Sequence, residues 1–126
     1  MILLDTSVLI DALTGPRRSA PALRTAIETG ERLQVPALVL FEWLRGPRRS
    51  EELAVQEALF PRAEALAFGP DEAARAARLY AEIARPRGRE IDLAIAASAL
   101  EQGASLWTLN WADFHDLPGL DLYAPS

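Results

Sequence analysis

Hydrophobic positions along the chain fall into short clusters whose period changes from one cluster to the next. The run Ile2–Leu4, closed at once by Asp5, has the pattern of a short strand buried on both faces. From Ser7 to Leu13 the spacing is helical until Gly15-Pro16 stops it. A second helix is predicted over Ala20–Thr29, with Ser19 as N-cap, Pro21 in the first turn and Gly30 as the stop. Arg32–Val35 reads as a strand, and Pro36 opens a helix through Arg45 that Gly46-Pro47 closes. Ser50-Glu51-Glu52 starts a further helix ending at Pro61, and Glu64–Phe68 reads as a weak strand. The next helix runs from Gly69-Pro70-Asp71 to Arg85, with Arg75, Arg78, Glu82 and Arg85 on a wet face and Ala76, Leu79 and Ile83 opposite. A loop over Arg85–Arg89 precedes a helix over Glu90–Gln102, which Gly103 ends. Ser105–Leu109 is a predicted strand and Leu120–Tyr123 a last edge strand. Strands alternating with helices imply an α/β fold, with a mainly parallel central sheet flanked by helices on both sides. No repeat or linker interrupts the pattern, so residues 1–126 are expected to form one domain.

Composition narrows the chemistry. Half of the 126 residues are apolar, enough to build one core without staples. The absence of cysteine removes disulfides, zinc–thiolate sites, iron–sulfur clusters and a thiol nucleophile. One histidine, His115, argues against a multi-histidine metal site. All 13 basic residues are arginine, so chemistry that requires lysine, such as a P-loop or a Schiff base, is excluded. A formal net charge of −5 argues against coating nucleic acid by bulk electrostatics, and leaves room for a local basic patch. The longest apolar stretches, Val35–Phe41 and Leu93–Leu100, fall far short of the ~20 residues that span a membrane. The N-terminus lacks the basic opening of a secretory leader, and the absence of cysteine fits a bacterial or archaeal cytoplasm, so a cytoplasmic location is expected.

Four acids stand where solubility does not require them. Asp5 follows the first strand, at the sheet edge where α/β proteins bind ligands; the alternative is a helix cap. Glu42 interrupts the apolar run Leu38–Leu44; the alternatives are a pair with Arg45 or a water-facing position. At ~100° per residue, Glu90, Ser98, Glu101 and Gln102 form a polar stripe, and Asp92 lies roughly 145° from its centre. A solvent-facing position does not explain Asp92, which leaves a buried partner such as Arg89 as the alternative. Asp113 follows the last central strand, where an ordinary loop acid is also common, and Asn110 there is also a turn former. Convergent carboxylates without His or Cys are the ligand set of a hard cation, Mg²⁺ or Mn²⁺. Such an ion relieves their repulsion, polarises a phosphoryl oxygen and activates water, which is the chemistry of phosphodiester hydrolysis.

The order of these motifs carries a resemblance. Met1–Ile10, with Asp5-Thr6-Ser7, resembles the opening of the PIN-domain ribonucleases. Glu42 with Arg45-Gly46, Asp92 in Ile91–Ala97, and Thr108-Leu109-Asn110 with Asp113-Phe114 resemble their second, third and fourth motifs. The small size resembles the VapC-like toxins of toxin–antitoxin pairs. The resemblance implies a PIN-like fold and a Mg²⁺- or Mn²⁺-dependent endoribonuclease whose metal-activated water leaves 5′-phosphate and 3′-hydroxyl ends. It also implies a homodimer inhibited by a VapB-like antitoxin that lays an amphipathic segment along an apolar groove. By position, Asp5, Glu42, Asp92 and Asp113 are the catalytic and metal-binding acids, with Asp116 a competitor for the fourth place. Thr6 or Ser7 supports the first acid or a metal-bound water, and Asn110 supports the site.

Two arginine clusters flank these acids, Arg45, Arg48 and Arg49 beyond Glu42 and Arg85, Arg87 and Arg89 before Asp92. Guanidinium suits bidentate phosphate contact, so both clusters are expected to line an RNA groove, against solvated loops as the alternative. Trp43, Trp107 and Trp111 are expected in the core rather than as stacking platforms, although Trp111 lies in a predicted loop. A haloacid-dehalogenase-type phosphatase needs Asp-x-Asp where this chain has Ser7, and it needs a lysine. A catalytically inactive PIN-fold binding or assembly module is the remaining alternative.

Overall fold

The computed structural model describes residues 1–125. Three parallel strands, β1 (Ile2–Leu4), β2 (Leu33–Gln34) and β3 (Ser105–Trp107), form a sheet in the order β2-β1-β3. Six helices flank it: α1 (Thr6–Leu13), α2 (Ala20–Glu28), α3 (Ala37–Arg45), α4 (Ser50–Leu59), α5 (Pro70–Glu82) and α6 (Glu90–Gln102). The central strand β1 is buried at every position, which is why its sequence is continuously apolar rather than alternating. Its register pairs Ile2 with Leu33 on one side and Leu4 with Trp107 on the other. All strands run the same way, so the residues that follow β1 and β3, Asp5 and Thr108, leave the sheet side by side at its carboxyl edge.

Two helices set the remaining functional positions. Along α3, Val39, Leu40 and Trp43 face the core, and Trp43 donates its indole N–H to Gln56 Oε1 of α4 at 3.2 Å. Glu42 adjoins this buried stripe, beside exposed Phe41, Leu44 and Arg45. α6 is the most enclosed helix: Leu93 through Ala99 are buried without interruption, and Gly103 ends it in the left-handed region at φ 61°. Ser98 therefore does not belong to a wet stripe. It is buried and donates to the Ala94 carbonyl at 3.2 Å, as a hydroxyl enclosed in a helix does.

Several element boundaries differ from the sequence pattern for local reasons. Glu64–Phe68 is not a strand: Arg62–Glu64 forms a 3₁₀ turn, and only Leu66 bridges to Pro36. The Leu66 N–H donates to Val35 and the Ala37 N–H to Leu66, and the ladder goes no further because α3 begins at Ala37. Leu120–Tyr123 contributes only the bridge between Leu106 and Leu122, in which Leu106 N–H donates to Asp121 and Tyr123 N–H to Leu106, both at 2.8 Å. β3 ends at Trp107 rather than Leu109. α5 stops at Glu82 because Ile83 turns extended and Arg85, before Pro86, is barred from the helical region. Ser19 does not cap α2. It has helical dihedrals, and its hydroxyl donates to Asp11 at 2.7 Å. Among the described residues, no helix is long and apolar enough to cross a membrane.

Candidate active site

Asp5 sits at the N-cap position of α1, where its carbonyl accepts the N–H groups of Val8 and Leu9. Its carboxylate makes no capping bond; it turns instead toward the end of β3. Thr108 Oγ1 donates to Asp5 Oδ2 at 2.7 Å and Ser7 Oγ donates to the same oxygen at 2.9 Å. Asp5 is only 3% exposed, so these charge-assisted bonds are what makes its burial tolerable; each contributes about 1.5–3 kcal/mol. The second oxygen, Oδ1, makes no hydrogen bond to the described residues.

The two hydroxyls do more than hold Asp5. Ser7 Oγ accepts the Leu109 N–H at 3.0 Å, and Thr108 Oγ1 accepts the Asn110 N–H at 3.0 Å. The loop after β3 is thereby fastened to the first acid through its backbone. Asn110 takes part by its N–H. Thr108 carries the shorter bond to Asp5, and site selection from sequence passes it over. A hydroxyl ending a strand paired in parallel with β1 was the available signal.

Glu42 is held from the same end of α1. Thr6 Oγ1 donates to Glu42 Oε1 at 2.6 Å, and Arg45 approaches Oε2 at 3.5 Å from the solvent side. Consecutive hydroxyls on α1 thus serve different acids, Thr6 holding Glu42 and Ser7 holding Asp5. The pairing of Glu42 with Arg45 exists, but it is exposed and long, and contributes well under about 1 kcal/mol.

Asp92 lies in the first turn of α6, half-buried. Burial, together with the charges of Asp5, Asp113 and Glu42, pushes its carboxyl up to about 6, and Arg89 opposes the shift. The helix N-terminus favours a carboxylate, yet burial and three neighbouring acids outweigh it. Asp92 therefore registers the convergence of the four acids. Arg89 is not its partner.

Arg89 instead grips the loop after β3. Its guanidinium donates to both Asp116 oxygens, at 2.7 and 2.9 Å, and to the Asp113 carbonyl at 2.8 Å. This contact holds the Asp116 carboxyl below the usual carboxylate range and commits it to an ion pair. Asp113, in the 3₁₀ turn Trp111–Asp113, keeps its carboxylate exposed and acts on Asp92 through its charge.

The donor set is entirely oxygen, the chemistry that a hard divalent cation selects. His115, the only imidazole, is exposed with Nδ1 3.2 Å from the Trp111 carbonyl. As the side chains stand among the described residues, no three acids close around a common point. They share one mouth of the fold within Coulombic range, and the fit to Mg²⁺ or Mn²⁺ lies in donor type and convergence of charge.

The arginines divide by what they touch. Arg48 donates to the Trp43 carbonyl at 3.0 Å and lies over the Trp43 ring at 4.3 Å from its centroid. Arg49 lies 3.5 Å from Glu52, and Arg45 lies over Phe41. Arg85 and Arg87 are exposed and make no hydrogen bond or ion pair among the described residues. Trp43 and Trp107 are buried in the core, whereas Trp111 is 48% exposed beside the acids.

Acids that follow β1, stand on α3 and α6 and lie in the turn after β3 share the carboxyl edge of a parallel sheet on an α/β scaffold. The chain belongs to the PIN-domain family, whose profile matches residues 2–120. It is 37% identical to Ribonuclease VapC19 of Mycobacterium tuberculosis over 123 residues, 95% of this chain and 97% of that protein. Among solved structures it resembles a chain of DNA-bound VapBC from Salmonella typhimurium, with TM-score 0.81 and 26% identity over 97% of this chain and 96% of that one. A toxin–antitoxin complex from Klebsiella pneumoniae matches with TM-score 0.73 and 25% identity, covering 100% and 98%.

Proposed function

We propose that this chain is an endoribonuclease and the toxin of a toxin–antitoxin pair, with Asp5, Glu42, Asp92 and Asp113 holding Mg²⁺ or Mn²⁺. The observation that carries the reading is Asp92, whose carboxyl burial and the charges of three other acids together push up to about 6 in a chain of the PIN family. A divalent cation bound there supplies Lewis acidity to the phosphodiester and lowers the pKa of a water. The protein's own part is preorganisation. Ser7 and Thr108 fix Asp5, Thr6 fixes Glu42, and Arg89 holds the turn that bears Asp113. Arg85 and Arg87, exposed and unpaired beside α6, are the arginines best placed to meet RNA phosphates. The close relative's name supports RNA as substrate, and the toxin–antitoxin complexes among the structural neighbours support a VapB-like partner.

A groove of about 340 Å³ between α2 and α4, walled by Leu13, Leu23, Ile27, Val55 and Leu59, is the surface we assign to an amphipathic antitoxin segment. Phe41 and Leu44, exposed on α3, offer an apolar patch for the homodimer that the resemblance implies. Incubation of antitoxin-free protein with total RNA and a tRNA pool tests the reading. Discrete fragments in Mg²⁺ or Mn²⁺, lost in EDTA and in Glu42→Gln, are the expected result. Intact RNA under every metal leaves an inactive binding module as the better account.

A further inference from the structure

The loop after β3 places two large apolar side chains in water beside a cluster of acids. Leu109 is 49% exposed and Trp111 48%, while Phe114, three residues further on, is buried and anchors the turn. The backbone of this loop is held at several points. Its backbone N–H groups at Leu109 and Asn110 are bound by the hydroxyls that donate to Asp5. The Trp111 carbonyl accepts the N–H groups of Phe114 and His115, and Arg89 clamps the Asp113 carbonyl. The backbone that carries Trp111 is held in place, and its indole keeps an apolar face open to water. One residue, Ala112, separates Trp111 from Asp113, so their Cα atoms are at most about 7 Å apart.

We propose that Trp111, with Leu109 beside it, is a stacking platform for one unpaired nucleobase of the RNA, positioning the adjoining phosphodiester at the acids. The inference rests on the ribonuclease reading and adds to it a residue that would contact the substrate, at a base free to leave its stack. An aromatic face accepts any base and discriminates against a paired one, since stacking on it requires the base to be splayed out. The net negative charge of the chain makes such a contact more valuable, because phosphate attraction alone is weak here. Trp111 touches substrate in this account but takes no part in bond making.

Trp43 and Trp107 are buried, so quenching of indole emission by iodide or by RNA reports on Trp111. The full chain is titrated in EDTA with an unstructured oligoribonucleotide and with the same strand closed into a duplex. Cleavage of the unstructured strand in Mn²⁺ is measured in parallel. Expected are quenching by the single strand and not by the duplex, and a Trp111→Ala variant whose KM rises by at least about five-fold with kcat retained. Trp111→Phe restores most of the loss. Wild-type KM in Trp111→Ala overturns the platform and leaves the nuclease reading intact. Unchanged KM with lost antitoxin binding or dimerisation also overturns it, in favour of a protein contact. Quenching without cleavage by the wild type removes the nuclease reading and with it the positioning role, leaving base stacking alone; neither quenching nor cleavage removes both. Mn²⁺ binding by Trp111→Ala, followed by calorimetry, confirms that the variant is folded with its acids in place.

Discussion

Thr108 and Asp5 lie 103 residues apart in sequence and share a 2.7 Å buried hydrogen bond that joins the ends of two adjacent parallel strands. The same threonine oxygen accepts the Asn110 N–H, so one hydroxyl links the first acid to the loop carrying the fourth. Replacing Thr108 by Val keeps the shape and removes both functions. Cleavage and Mn²⁺ affinity are expected to fall by about ten- to a hundred-fold, the usual cost of losing a group that orients a ligand. Activity assays beside calorimetry check this, and wild-type behaviour in both denies Thr108 its role.

Arg89 and its neighbours Arg85 and Arg87 are expected to behave differently. Arg89→Ala removes the clamp on Asp113 and Asp116, costing about 1 kcal/mol of stability and lowering cleavage while the salt dependence of RNA binding stays as it was. Arg85→Ala and Arg87→Ala leave stability unchanged and flatten the salt dependence by about 0.7 in log–log slope each. Binding isotherms across a salt series, with thermal melts, separate the two behaviours.

The raised carboxyl of Asp92 gives the cation-free protein a definite pH dependence. Its pKa is about 6 folded and about 3.9 unfolded, so between these values the folded state holds more protons. The stability it contributes is complete below about pH 4 and is lost as the pH rises through 6. In EDTA, this group makes the protein melt at a higher temperature near pH 5 than near pH 7.5. Asp92→Asn flattens that part of the profile and raises the melting temperature at pH 7.5. A melting temperature in EDTA whose pH profile the substitution leaves unaltered contradicts the convergence of charge on Asp92.

The groove between α2 and α4 predicts a separation of inhibition from catalysis. Ile27 and Val55 are exposed on its walls, so aspartate at both positions is tolerated by the fold. The double variant is expected to bind antitoxin at least about ten-fold more weakly, a change of about 1.4 kcal/mol, with cleavage intact. Inhibition titrations with the cognate antitoxin decide whether this surface is the one used.

The parts of the fold written in local pattern were legible before the structure. The apolar run Ile2–Leu4, the Pro and Gly stops and the enclosed helix over residues 90–102 are near-neighbour signals, and the elements lie where those signals put them. Glu64–Phe68 and Leu120–Tyr123 have the composition of strands, but their partners offer one bridging residue each, which no local pattern discloses. Ser98 misled because a polar side chain can satisfy itself against its own helix. The acids stood out because carboxylates are costly at apolar positions. Thr108 and the clamp of Arg89 on Asp116 did not, because a hydroxyl after a strand and a charged loop pair are unremarkable until a distant segment arrives beside them. For Trp111 residue type favoured the core while its loop left exposure open, and the turn anchored by Phe114 holds it outside.

Asp5, Glu42, Asp92 and Asp113 are proposed to form one divalent-cation site. Titration of the antitoxin-free protein with Mn²⁺, followed by calorimetry beside the Asp5→Asn and Asp92→Asn variants, tests it most directly. Saturable binding by the wild type is expected, abolished or weakened at least about ten-fold in either variant, with both variants folded. Binding that survives both substitutions, or no binding by the wild type, contradicts it.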